Sequence, residues 1–204
     1  ARSLPVAMPA RLDPLVPVLR DNFWLTVHVL TITLSYAAFA LALGFAHVVL
    51  WHYIKRPGTA PAMHQLHAWL YRMMFVGLIL LAAGTILGGV WANYSWGRFW
   101  GWDPKETWAL VALLMYVLAI HGKMAGWWGD FGIAVAAVVN FASIIMAWYG
   151  VNFVLGAGLH SYGFGVGGEG FVLAFLAAEA AYVGLAAVRH RAATHAGSIG
   201  KSSS

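Results

Sequence analysis

Two side-chain types dominate the chemistry available to this chain, indole and imidazole. Eleven Trp and nine His stand among 204 residues, and there is no Cys. Any metal chemistry must therefore run through nitrogen or oxygen, with no thiolate and no disulfide. Five of the Trp, namely Trp91, Trp96, Trp100, Trp102 and Trp108, fall within eighteen positions. Tyr94, Phe99, Gly97 and Gly101 are interleaved with them. Two readings of this cluster stand. Trp and Tyr gather at any membrane surface as an interfacial belt. Alternatively, indole faces carry a planar aromatic ligand, with glycines letting the backbone approach it. A belt accounts for one or two Trp per helix end, so the ligand reading explains the density better.

The cluster ends on a helix start. Asp103 is a good N-cap, Pro104 suits the first helical turn, and Glu106 stands three residues after the cap. A helix N-terminus favours anions, and Arg98 and Lys105 flank this one. A flat ligand with carboxylates could lie on the indoles and anchor there. Capping alone is the competing role for Asp103 and Glu106.

The histidines divide by depth. His28 lies near the start of the first apolar run, and His160 lies in the segment after the fourth. Both fall on the predicted face of the Trp loop. They are either interfacial residues or a pair of imidazoles for one haem iron. His121 follows Asp103 by eighteen residues, about 27 Å along a helix rising 1.5 Å per residue. It belongs to a second, inner level. An inner pair of His121 with His47 is geometrically open. A polar inner rim of His47, His52, His64 and His67 with Lys55 and Arg72 is preferred. Glu179 is the one acid deep in an apolar run. It is a proton or ligand contact, or a hydrogen-bonding partner for a neighbouring helix through Asn140 or Tyr182.

These residues need elements to hold them. Hydrophobic residues make up 61% of the chain and charged residues 9%, against about 25% charged in ordinary soluble domains. Such a surface excludes a soluble enzyme and a disordered chain. The net charge of +5 is carried by basic residues scattered singly between apolar runs, which excludes a nucleic-acid module. A hydrocarbon core of about 30 Å needs roughly 20 apolar residues as helix. Runs over 23–51, 73–92, 104–121, 131–154 and 170–188 meet or approach that length. The fold class is therefore all-α, a polytopic transmembrane bundle of about five spanning helices. Residues 1–22 read as a Pro-rich extracytoplasmic lead-in, 23–189 as one transmembrane domain with its loop at 91–108, and 190–204 as a basic cytoplasmic tail, disordered from Ala192. Basic residues set the orientation. Lys55, Arg56, Arg72, Lys123, Arg189, Arg191 and Lys201 fall inside when the Trp loop is outside, against Arg2, Arg11, Arg20, Arg98 and Lys105.

The string WGRFWGWDPKETW over 96–108 resembles the tryptophan-rich WWD signature of the haem-handling proteins of c-type cytochrome biogenesis. The continuation TWAL and the downstream IHGKMAGWWG are similar to the CcsA/ResC branch, the System II cytochrome c synthase. The resemblance runs from about residue 15 to 188. It implies a loop on the periplasmic or lumenal side that binds haem b, with His28 and His160 as axial ligands. It implies that His121 joins an inner haem site whose other imidazole belongs to a CcsB/ResB-type membrane partner or fused domain. The ring would rest on Trp91, Trp96, Trp100, Trp102 and Trp108, with Asp103 beside it. Arg98 and Lys105 are our assignment for the propionates. The implied function is to present haem to the CXXCH thiols of apocytochrome c, in the bacterial cytoplasmic membrane or a thylakoid. A transporter that delivers haem without forming the bond is the alternative, and a scaffold that binds none is a third. Relatives with further upstream spans imply a shortened variant or a piece of a longer chain.

Overall fold

Long apolar runs in lipid must satisfy their own backbone, which leaves the helix as the only open element. The computed structural model of the chain describes residues 22–55, 63–160 and 167–202, and among them there is no strand. The helices are α1 (Asn22–Lys55), α2 (His64–Trp96), α3 (Pro104–Met124), α4 (Asp130–Ile145) and α5 (Glu169–Ser202). A π-helical segment, Met146–Leu155, continues α4 without a break. Five helices are long and apolar enough to cross a membrane, with α4 and its π segment counting as one. The protein is an integral membrane protein.

Several boundaries differ from the sequence reading. The Trp loop narrows from 91–108 to 97–103, with Trp91 and Trp96 on α2 and Trp108 on α3. α2 begins at His64 rather than near 73, so Arg72 and the preceding polar turns are helical. α5 runs on to Ser202, where a disordered tail is expected from composition. Apolar spacing marks only the part of a helix inside lipid, and the hydrogen-bond ladder propagates beyond it. The lead-in, apart from residue 22, lies outside the described residues.

α1 packs along α2 and α4, and small residues set its distance from α2. A Cβ on Gly77 would meet the Phe39 ring at 2.6 Å, and one on Gly84 would meet Ile32 at 2.8 Å. Small residues at such positions let membrane helices approach closely. Phe39 then reaches across to Tyr116 of α3, ring centroids 3.7 Å apart and both side chains fully buried. Asn140 of α4 donates to the Met115 carbonyl of α3 at 2.9 Å.

α5 lies on α1 and α4 and buries little of its surface. Its acid is paired, but not as expected. The Glu179 carboxylate meets His47 Nε2 at 2.9 and 3.1 Å. Tyr182 instead donates to the His47 carbonyl at 2.8 Å, and Asn140 is spent on Met115. The reason is the packing of α5 on α1. His47 thus leaves the expected inner rim, and its Nδ1 is held by the Leu43 carbonyl at 2.8 Å. The end of the bundle opposite the Trp loop keeps other members of that rim. Asp130 there takes Lys123 and buried His67 together.

Candidate functional site

The Trp loop begins where α2 ends. Gly97 closes α2 in the left-handed conformation, φ 72°, which glycine adopts without a Cβ penalty. The loop then folds around one carboxylate. Glu106 accepts from Arg98 Nη1 at 2.9 Å, from the Gly101 N–H at 2.7 Å and from the Asp103 N–H at 3.2 Å. Asp103 accepts in turn from the Lys105 N–H at 3.1 Å, completing the capping box read from the sequence. Between them Trp102 is held at φ 57° with its indole largely exposed, an uncommon conformation for a bulky residue.

Behind this loop is a cavity of about 720 Å³, within the usual range of about 300–1,000 Å³ for small-molecule and cofactor sites. Its wall is mostly apolar. His28 of α1 and His160, in the segment after the π helix, both line it, together with Trp91, Phe99, Trp100 and Lys105. His28 Nδ1 lies 2.8 Å from the Gly84 carbonyl. His160 Nδ1 lies 3.0 Å from Asp103 Oδ1. A carbonyl and a carboxylate only accept, so each ring carries a proton on Nδ1, and in the neutral ring the lone pair is on Nε2. That is the tautomer of a metal-ligating imidazole backed by an acceptor. Burial alone would raise the Asp103 carboxyl. Hydrogen bonds from His160 and from the Lys105 and Leu159 N–H groups outweigh it and hold the carboxyl below the ordinary range.

The remaining candidates divide by position. Trp96 stands behind His160, edge-on at 4.7 Å, and packs against Trp91 at the same distance. The indole N–H groups of Trp91 and Trp96 are buried and have no hydrogen-bond partner among the described residues. Trp100 lines the cavity and meets the outlying Trp102 edge-on at 5.8 Å. Trp108 is half-buried on α3 and is not part of the wall. Arg98 is committed to Glu106 and lies over the Trp96 ring. Lys105 reaches the cavity, its ammonium 3.3 Å from Asn152 Oδ1 of the π segment. His121 is exposed near the far end of α3, with Nδ1 at 2.8 Å from the Val117 carbonyl.

Residues that composition did not single out complete the wall. Tyr36, Phe141 and Trp148 come from α1, α4 and the π segment. Gly88 gives the His28 ring its space, since a Cβ there would meet that ring at 2.7 Å, and one on Gly89 would meet Phe99 at 2.6 Å. The Gly88–Gly89 pair just before Trp91 is the signal that could have marked this. π-helical turns recur at functional sites, but no local composition announces them.

Five spanning helices with an imidazole-bearing aromatic cavity at one end define a polytopic helical membrane protein. The chain belongs to the cytochrome c assembly protein family, whose profile matches residues 2–160. It is 42% identical over 163 residues to Protein NrfI of Wolinella succinogenes, covering 75% of this chain and 18% of that protein. It is 37% identical over 166 residues to the cytochrome c biogenesis protein CcsA of Chlamydomonas reinhardtii, covering 79% of this chain and 46% of the relative. The CcsA of Parasynechococcus marenigrum is 35% identical over 193 residues, covering 79% of this chain and 63% of the relative. The chain thus spans less than two thirds of the length of these relatives, and it is of the CcsA type.

Proposed function

We propose that this chain binds haem b in the cavity behind the Trp loop, between His28 and His160, and presents it to apocytochrome c for covalent attachment. The observation that carries the reading is the matched state of the two imidazoles. Both line one cavity, and both have Nδ1 occupied by an acceptor, which leaves Nε2 free to ligate. Family membership supplies the cargo, since c-type cytochromes carry haem. The apolar wall suits the porphyrin body, and the orphaned indole donor of Trp91 on that wall suits a ligand with acceptor atoms.

Each side chain has a place in this reading. Trp91, Trp100 and Phe99 wall the ring, and Trp96 buttresses His160. Lys105 is the cation placed to hold a propionate, at the N-terminal end of α3 where an anion is favoured. Arg98 and Glu106 fold the loop. Asp103 holds the His160 side of the site. The loop faces the extracytoplasmic side, where the substrate's CXXCH thiols reach the vinyl groups. Each thiol S–H adds across one vinyl C=C, so that carbon–sulfur bonds form and the protons end on the neighbouring carbons. No side chain of this chain needs to break a covalent bond. Its contribution is to bind, orient and keep water away. His121, at the opposite end with its own Nε2 free, joins an inner site with an imidazole from a CcsB/ResB-type partner.

The test is coexpression in a host lacking cytochrome c synthase, with a CcsB/ResB-type partner and an apocytochrome c carrying CXXCH. Covalent cytochrome, read as haem stain that survives denaturing electrophoresis, is expected with the wild type and at least tenfold less with H28A or H160A. Full yield from both variants would refute the assignment. Haem uptake with no covalent product from the wild type would make the chain a carrier instead.

A further inference from the structure

Asp103 stands where three parts of the chain meet. Oδ1 accepts the Lys105 N–H at 3.1 Å, which starts α3, and also faces His160 Nδ1 at 3.0 Å. Oδ2 accepts the Leu159 N–H at 2.6 Å. The side chain is 3% exposed. Gly158 has φ 94°, and a Cβ on it would strike Asp103 Oδ2, so the chain is shaped to lie against this carboxylate. Capping does not require all this. Ser or Asn caps a helix about as well as Asp with a single oxygen. A second oxygen buried against a loop some 56 residues downstream has another use.

We infer that Asp103 is the positioning residue of the site, fixing His160 as its Nδ1–H tautomer and pinning the 158–160 segment to the start of α3. The inference rests on the haem reading for the identity of what His160 holds. It also makes the two imidazoles unequal. His28 is backed by a neutral carbonyl and His160 by a carboxylate. A carboxylate behind an imidazole raises the basicity of the outer nitrogen, and losing such a partner costs about 10–100-fold in metal affinity. His160 is therefore the stronger donor of the pair.

The experiment uses D103N and D103S in the full chain, reconstituted in nanodiscs with ¹⁵N-labelled histidine. D103S keeps an oxygen for the Lys105 N–H, and its hydroxyl is too short to reach the ring. In D103N the oxygen that serves the Lys105 N–H also serves His160, and the NH2 then faces the Leu159 N–H, donor against donor. In the haem-free wild type, the His160 signal, assigned through H160A, is expected as Nδ1–H with a bare Nε2. In D103S it shifts to a mixture with the Nε2–H form, while D103N keeps the tautomer and loses the Leu159 bond. Haemin titration is expected to show binding about 10–100-fold weaker in the variants, with a more positive reduction potential. A His160 tautomer, affinity and potential all unchanged in both variants would reduce Asp103 to a helix cap and overturn the inference. Tautomer shifts in a wild-type and variant set that takes up no haem would uphold the positioning role and refute the haem reading.

Discussion

At the scale of residues, the site depends on space as much as on ligands. The His28 ring sits where α2 offers only the hydrogen of Gly88. G88A is expected to push the ring off its bond to the Gly84 carbonyl, at about 1–3 kcal/mol of overpacking. Haem bound by purified G88A should turn high-spin or be lost. G44A, where a new Cβ meets nothing within 4 Å, should keep the wild-type spectrum. Equal spectra for the two variants would contradict this account of His28. The Trp loop, His28, His160 and the Asp103–Glu106 capping box were all legible in the sequence, because residue type and local spacing carry them. The bonds from Leu159 and His160 back to Asp103 were not. They join residues 56 and 57 positions apart, and no local pattern records a contact of that range. Arg98 reads as a propionate cation in sequence and is found folded onto Glu106, eight residues on, because the loop turns back over the start of α3.

At the scale of elements, the attachment of α5 is the point of interest. It rests on few buried contacts, on the Tyr182 bond to the His47 carbonyl, and on the contact of Glu179 with the His47 ring. Removing Glu179 leaves His47 Nε2 without that partner. E179A is expected to destabilise the bundle by about 1 kcal/mol, the scale of one lost hydrogen bond, seen as a lower midpoint in denaturant titration and as faster hydrogen exchange in α5. The double variant H47L/E179L should recover most of that loss, because two apolar residues replace the pair without a stranded polar group. A double variant as unstable as the single one would show that this contact is not what holds α5. Helix number and order were legible here, because a spanning run is marked by composition over about 20 residues. Where each helix ends was not, since α2 and α5 extend past the lipid-facing stretch. Nor was the partner of Glu179, which depends on α5 packing on α1. The π segment that brings Trp148 to the cavity and Asn152 to Lys105 is likewise a product of packing.

At the scale of the molecule, the bundle has two unlike ends. One gathers α1, the α2–α3 loop, α3, the π segment and His160 around an apolar cavity. The other carries His67, Lys123 and Asp130 in a polar cluster, with His121 exposed on α3. Such polarity suits a protein that receives a flat, apolar, charged-edged cargo and holds it at one membrane face. The central claim is that His28 and His160 hold haem iron together. The most direct measurement is a reduced-minus-oxidised absorption spectrum of the detergent-purified chain, coexpressed with a CcsB/ResB-type protein, beside the H28A/H160A double variant. We predict a low-spin b-type haem spectrum in the wild type that is lost in the double variant. An identical low-spin spectrum in both, or a wild type that binds no haem even with that protein present, would contradict the claim.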